Sequence, residues 1–315
     1  MPCCGERFAQ LYADDVSSTR EVHVPLDPGG LGPAPGGGQR EAAAAPTSLS
    51  EIQVLAAALR QVPGLHEAVS RDKKRYSNLT SCILAAVFSI NARYKVVIAT
   101  LKRYRAFYDL PPPGVPNGPA GTGEPRVSEF ISQVEAQGVE DFAANVLHNR
   151  MRTSSKGGVL KAQAALDFAR VLQRYGIEEI SQVLTCPKLA DLELALRRVH
   201  GQSSGISTDY FMMNVGDTHR VKPDRWVIGF LVDTLNRSVS QAEAQLLFKA
   251  VCPELATEYP GITPRALDLA VWKWKSNWND TAAGTGSKRQ ALERQIAATE
   301  QRLERLRRRL KQIDG

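Results

Sequence analysis

The residue with the clearest chemical potential is Asp224, which follows a proline and opens the apolar segment RWVIGFLVDTL. An aspartate at the start of a helix accepts hydrogen bonds from the first turn, and the helix dipole favours its ionised form. A fixed carboxylate of this kind can stabilise a developing cation or orient an attacking water molecule. The commoner role of such an aspartate is capping alone, so this fragment leaves both roles open.

A glycine-punctuated turn lies about twenty residues before Asp224, between the apolar segments LADLELALRRV and ISTDYFMMNV. Gly201 and Gly205 bracket this turn, and glycine permits the left-handed dihedrals that a tight turn needs. The amides of Ile206 and Ser207 would open the second helix and point toward an anion such as a phosphate. The sequence therefore predicts a helix, a hairpin, a second helix, a loop and a further helix that Asp224 opens.

In this order of parts the chain resembles the helix-hairpin-helix/Gly-Pro-Asp superfamily of DNA glycosylases, which includes endonuclease III. LELALRRVHGQSSGIS stands where that family has its helix and hairpin, and VKPDRWVIGFL stands where it has the aspartate-opened helix. Upstream, Ser89-Ile90-Asn91 resembles a polar notch of the family, and Lys161-Ala162 resembles its Lys-Ala pair. The resemblance covers about residues 76 to 240. It implies a two-lobed all-α fold that hydrolyses an N-glycosidic bond in DNA, with Asp224 as the catalytic carboxylate.

The departures from the family pattern narrow the expected reaction. Bifunctional members carry a lysine just after the hairpin, where this chain has Ile206 or Ser207. Without that lysine no Schiff base is expected at this position, so water would attack the sugar. The four-cysteine iron–sulfur loop is also absent. The resemblance thus implies a monofunctional glycosylase, and we expect no cofactor and no metal.

The resemblance also implies which residues would touch DNA. We expect the backbone contacts to come from the hairpin and from a polar, basic loop, at Gly201, Gln202, Gly205, Ile206, Ser207, Arg150, Arg152 and Lys156. A solvated loop is the alternative for the last three. A flipped base would lie in a cleft lined by Ser89, Asn91, Tyr94 and Tyr210. Ordinary core packing is the alternative for each of the two tyrosines.

Apolar residues recur at three-to-four spacing from Ser48 to Trp278 without period-two alternation, which predicts an all-α protein. We expect a disordered, Gly-, Pro- and Ala-rich leader over 1–46 and a helical glycosylase-like domain over 47–283. By the family layout, residues 76–216 would form the hairpin-bearing lobe, and 47–75 with 217–283 the second lobe. The segment 111–126 is too rich in proline and glycine for a helix and predicts a long surface loop.

The C-terminal segment 288–315 carries an a/d heptad pattern, with Leu292, Ile296, Thr299, Leu303, Leu306, Leu310 and Ile313 at alternating four- and three-residue steps. It predicts a basic coiled coil that joins two copies or recruits a partner protein. The alternative is an amphipathic helix that packs back on the globular part. Nine Lys or Arg and four Asp or Glu give this segment +5 of the chain's net charge of +7.

Several protein classes find no support in the sequence. No stretch reaches the roughly 18 apolar residues of a membrane span, and the N-terminus lacks the pattern of a signal peptide. The five cysteines match no disulfide, zinc or iron–sulfur spacing. We expect a cytoplasmic protein, nucleoid-associated if it binds DNA. A non-catalytic DNA-binding or adaptor protein remains the alternative function, and a pure protein-interaction module is a third.

Overall fold

The computed structural model describes residues 49–70, 76, 78–110 and 125–276, together with Glu300 and Glu304. Within these residues the regular structure is helical, and the one β-contact is an isolated bridge between Arg152 and Leu160. The predicted all-α class is confirmed for this part of the chain. The predicted leader and most of the loop 111–126 lie outside the described residues, as does the heptad segment apart from two residues.

Twelve α-helices follow one another along the described residues: α1 (Leu49–Arg60), α2 (Leu65–Ser70), α3 (Leu79–Phe88), α4 (Tyr94–Phe107), α5 (Val127–Gln137), α6 (Val139–Asp141), α7 (Lys161–Arg174), α8 (Leu189–Arg197), α9 (Ile206–Val215), α10 (Arg225–Leu235), α11 (Gln241–Leu255) and α12 (Pro264–Lys275). A π-helical turn, Phe142–Val146, continues α6, and a short 3-10 turn, Ile180–Gln182, precedes α8. None of the described helices is both long and apolar enough to cross a lipid bilayer.

The first hydrophobic core is built around α3, all ten residues of which are buried. A helix that is apolar on every side must be covered on every side, and α3 packs against α4, α7 and α9. Asn78 caps α3, because its side chain accepts a hydrogen bond of 2.8 Å from the Ser81 amide. The buried residues of this core run from Tyr76 to Val215.

The second hydrophobic core combines two separate stretches of the chain. Its buried residues come from Ile52 to Ala68 in α1 and α2, and from Val221 to Val271 in and around α10, α11 and α12. Helix α1 buries Ile52, Leu55, Ala56 and Leu59, the spacing of a single helix face. It packs against α10 and α11, while α2 packs against α12.

Helix α12 connects the two cores. The rings of Trp272 and of Tyr94, which begins α4, meet in a T-shaped arrangement with their centroids 4.9 Å apart. About two turns earlier, the buried Arg265 guanidinium donates a hydrogen bond of 3.0 Å to the Met213 carbonyl near the end of α9. The loop from α9 to α10 crosses the same boundary and carries the residues described next.

Candidate active site at the start of helix α10

Asp224 is the N-cap of α10, with extended backbone dihedrals. One carboxylate oxygen, Oδ1, accepts hydrogen bonds from the amides of Trp226 at 2.8 Å and Val227 at 3.4 Å. The other oxygen, Oδ2, lies 3.9 Å from the Lys222 ammonium, and the Asp224 side chain keeps 18% of its surface exposed. The carboxylate is therefore fixed by the helix through one oxygen while the other is turned toward a cation.

The loop before Asp224 is held by side chains of the second core. Gln245 bonds both backbone groups of Val221, accepting from its amide at 3.0 Å and donating to its carbonyl at 2.8 Å. Asp268 of α12 accepts the Lys222 amide at 2.8 Å. Paired backbone groups on successive residues leave the loop little freedom, so the position of Asp224 is set in advance.

Arg220 ties this loop to the first core. Its guanidinium pairs with Glu193 of α8, with Asp209 of α9 at 2.9 Å and with Asp217 of the loop at 3.3 Å. Burial raises the pKa of Asp209, and the nearby Arg220 opposes that rise. The three ion pairs lock the two helices on either side of the hairpin to the loop that leads to Asp224.

Lys222, which lies beside Asp224, is close enough to a second lysine, Lys161, for their charges to interact. The Lys222 ammonium lies 4.2 Å from the centroid of the Tyr210 ring, within the range of a cation–π contact. The fully buried Lys161 donates hydrogen bonds from Nζ to the carbonyls of Phe88, at 3.1 Å, and of Ile90. Burial, together with the charge of Lys222, lowers the pKa of Lys161 to about 8.

The structure connects the four predicted base-pocket residues to this lysine pair or to its neighbours. Lys161 binds the carbonyls of Phe88 and Ile90, so Ser89 and Asn91 are the residues that follow each of these along the chain. Asn91 is exposed and has a φ of 47°. The ring of Tyr210 is buried beneath Lys222. Tyr94 contacts Trp272, one helical turn beyond the Asp268 that binds the Lys222 amide.

Arg198 caps the end of α8, and the hairpin that follows spans residues 199–205. It uses both glycines in the left-handed region, with φ of 80° at Gly201 and 78° at Gly205. A Cβ on Gly201 would lie 2.6 Å from the Cβ of Thr153, and one on Gly205 would lie 3.1 Å from the Arg197 guanidinium. The first contact brings the hairpin against the basic loop 150–156. The two parts of the predicted DNA-binding set are therefore neighbours.

The side chains of the predicted DNA-binding set differ in where they point. Arg150, Arg152 and Lys156 are all exposed. The Arg152 guanidinium donates a hydrogen bond of 2.8 Å to the Gly158 carbonyl, so it is held against its own loop. Gln202 is fully buried and Ser207 is 2% exposed. Their side chains face the interior, so the hairpin can offer a phosphate the main-chain amides at the start of α9 rather than those side chains.

Sequence reasoning missed Lys222, although it stands two residues before Asp224 in the motif VKPD. It also missed Arg220 and Asp268, whose roles depend on contacts with distant segments. The sequence analysis named Lys161 only as part of the Lys-Ala pair, because its neighbours along the chain do not indicate a buried ammonium. The described residues contain no group of three or more His, Cys, Asp or Glu placed to hold a metal ion.

The fold and site define a helical protein in which a hairpin and a fixed, helix-capping aspartate stand on either side of one braced loop. The chain belongs to the family described as Domain of unknown function (DUF8548), whose model matches residues 53–276. That match runs from α1 to the end of α12 and includes both hydrophobic cores. No curated protein and no solved structure matches the chain.

Proposed function

We propose that this chain is a DNA glycosylase of the helix-hairpin-helix/Gly-Pro-Asp type, which hydrolyses an N-glycosidic bond with Asp224 as its catalytic carboxylate. The observation that carries the proposal is the geometry of Asp224, which is fixed by two amides of α10 yet keeps its second oxygen on the side of Lys222. An aspartate that only caps a helix needs neither a cation beside it nor side-chain hydrogen bonds that fix the preceding loop.

The two hydrophobic cores support the proposed division into lobes at 76–216 and at 47–75 with 217–283. Asp224 and Lys222 stand in the loop region that links the cores, and Tyr94 meets Trp272 across the same boundary. A base extruded from the duplex would enter there, beside Asn91 and Tyr210. The hairpin and the loop 150–156 would hold the flanking phosphates.

The chemistry follows from charge development during the reaction. Breaking the bond between base and sugar leaves positive charge on the sugar and negative charge on the departing base. The Asp224 carboxylate would stabilise the sugar cation and accept a proton from the attacking water. The Lys222 ammonium lies beside Oδ2 of the carboxylate, where it would stabilise the negative charge that develops on the departing base. The departing base takes up the proton that Asp224 accepts from the water, so the products are a neutral free base and an abasic site.

The competing function is a non-catalytic DNA-binding or adaptor protein, and one observation favours it. Both hydrogen bonds that Asp224 accepts come from the first turn of α10, which is the pattern of a structural cap. In that case the hairpin would grip the DNA backbone, and the heptad segment, which lies almost wholly outside the described residues, would recruit a partner or a second copy.

Binding of the full-length chain to two duplexes tests the proposal without a guess at the damaged base. One duplex is intact and the other carries a stable abasic-site analogue, and fluorescence anisotropy reports the affinity for each. Non-specific attraction of the basic C-terminal segment to phosphates would be the same for both duplexes, so it would cancel in the ratio. We expect the abasic duplex to bind at least about tenfold more tightly.

A matched variant separates the site from the scaffold. Asp224→Asn retains the cap, because asparagine caps helices about as well as aspartate. It should therefore leave the melting temperature and the binding to the intact duplex unchanged. Equal affinity of the wild-type chain for the two duplexes would exclude the glycosylase and leave a non-catalytic DNA-binding function. Absence of binding to either duplex would exclude both of these and leave an adaptor that binds only protein.

A further inference from the structure

A second site lies on the outer face of α8, away from Asp224. A cavity of about 640 Å³ opens between the end of α7 and one side of α8, and its walls include Arg174, Tyr175, Pro187, Lys188, Leu194 and Arg198. The residues Lys188, Asp191, Leu194 and Arg198 recur every three or four positions, so they lie on one face of the helix. From Lys188 to Arg198 this face is about 15 Å long. We call the cavity the α8 groove.

The charge of the α8 groove is not balanced within the fold. Arg174, Lys188 and Arg198 are exposed, and no described carboxylate forms an ion pair with any of them. By contrast, Arg220 and Arg237 each pair with at least two carboxylates. Among the described residues that line the groove, Asp191 is the single carboxylate, which leaves an excess of two positive charges among them.

An apolar strip runs between these cations. Leu194 is 55% exposed, a high value for a leucine, and it lies in the groove with Pro187 and the half-buried Tyr175. A leucine exposed among unpaired cations is a surface that a ligand with both apolar and acidic groups would cover well.

We propose that the α8 groove binds an acidic peptide segment of a partner protein, with an aliphatic or aromatic side chain on Leu194 and carboxylates on Arg174, Lys188 and Arg198. About five residues of extended peptide span the length of this face. Lys188 and Arg198 stand at the two ends of the α8 face, Arg174 stands at the end of α7, and all three side chains are exposed. A peptide along α8 can therefore meet a cation at each end and a third from α7. A small ligand fits less well, because enclosed pockets bury most of a ligand and the lining here is largely exposed.

The groove lies on a different side of α8 from the hairpin. Arg197 lies against Gly205 of the hairpin, and Glu193 pairs with Arg220. The groove is lined by the residues that follow each of these, Arg198 and Leu194. Consecutive residues are about 100° apart around an α-helix, so the groove faces a different direction. A duplex on the hairpin and a peptide in the groove can therefore bind at the same time. This inference does not rest on the proposed glycosylase activity.

A peptide selection tests the proposal. Full-length protein is panned with a phage-displayed library of random peptides of about twelve residues, and the enriched peptides are labelled for anisotropy. The groove variant is Arg174→Glu/Lys188→Glu/Arg198→Glu, and the matched control, Lys95→Glu/Lys102→Glu/Lys249→Glu, changes the net charge equally at exposed lysines elsewhere. All six side chains are exposed, so both variants should fold, which circular dichroism checks.

We expect selection to enrich peptides that combine acidic residues with an aliphatic or aromatic residue. Their affinity should fall about tenfold or more in the groove variant, remain unchanged in the control and weaken with salt. Enrichment without an acidic pattern, or equal affinity for the groove variant, would overturn the proposal. So would a loss of duplex DNA binding in the groove variant alone, because the groove would then belong to the DNA surface.

Discussion

The ammonium of Lys222 lies 3.9 Å from the Asp224 carboxylate oxygen that accepts no helix amide. The two residues are separated only by Pro223, and the same lysine stands above the Tyr210 ring and lowers the pKa of the buried Lys161. Lys222 therefore interacts with Asp224, with the Tyr210 ring and with Lys161. Each of these contacts can be removed singly.

Removal of Lys222 should change the protonation of Lys161. In Lys222→Met the pKa of Lys161 should rise above its present value of about 8 but stay below the ordinary 10.5, because burial, the larger cause, remains. Heteronuclear NMR of ε-carbon-labelled lysine follows the titration. An unchanged pKa would show that the two ammonium groups do not interact. Lys249→Met, at an exposed site on α11, serves as the control.

The buried Lys161 should make stability depend on pH on the alkaline side. Its pKa in the fold is about 8 against the ordinary 10.5, so the folded protein loses the proton before the unfolded chain does. The free energy of unfolding should therefore rise between about pH 8 and pH 10.5, by up to about 3 kcal/mol. The neutral amine can still donate to both carbonyls.

Chemical denaturation of the wild-type chain and of Lys161→Met across that range measures this contribution, because groups common to both cancel in the difference. As the pH rises, the free energy of unfolding of the wild-type chain should increase relative to that of Lys161→Met. A difference that stays flat or shrinks would mean that Lys161 is not a disfavoured ammonium in the fold.

Arg220 should stabilise the fold more than an exposed arginine with similar partners. Arg220→Met removes the ion-pair partner of the buried Asp209 carboxylate and leaves only the smaller influence of Arg197, which costs roughly 3–5 kcal/mol. The control is Arg170→Met, which removes pairs with Glu135 and Asp167 at about 45% exposure and should cost less than about 1 kcal/mol.

The defect of Arg220→Met should also depend on pH. Burial raises the pKa of Asp209, so its neutral form suits the fold better than its charged form, and acid relieves the unpaired charge. Urea denaturation at neutral pH and near pH 5 compares the two conditions. We expect the loss relative to the wild-type chain to shrink at the lower pH, and a loss that grows would contradict this account.

The contact between the hairpin and the basic loop gives a steric prediction. Gly201→Ala forces a Cβ to within 2.6 Å of the Thr153 Cβ at a φ of 80°. Gly176→Ala has a similar φ of 71° with nothing within 4 Å, so it isolates the backbone strain of about 1–2 kcal/mol. Gly201→Ala should lose about 1–3 kcal/mol more than that in thermal unfolding. Equal losses would mean that the loop 150–156 does not press on the hairpin.

The sequence predicted those parts of the fold that local chemistry determines. Helical spacing indicated the all-α class, Gly201 and Gly205 marked a turn that does use left-handed dihedrals, and the position of Asp224 before an apolar run marked a helix start. Each of these features depends on residues close together along the chain. The glycosylase activity and the lobe boundaries stay predictions.

The features that the sequence did not reveal depend on long-range packing. Whether Gln202 and Ser207 face a ligand or the interior is decided by how the hairpin docks on Thr153, about fifty residues earlier in the chain. Lys161 looks like any solvated lysine at the start of a helix until the end of α3 is placed against it. The groove on α8 likewise requires the end of α7 beside it.

The most direct test of the central claim is base release by the wild-type chain and by Asp224→Asn. Both proteins are incubated in excess over a panel of duplexes, each with one altered or mispaired base, and mass spectrometry detects the freed base. We expect the wild-type chain to release a base from at least one duplex, and Asp224→Asn to release it about 10²–10⁴ times more slowly at an unchanged melting temperature. Release that is equally fast in both proteins, or no release from any duplex by the wild-type chain, would contradict the account.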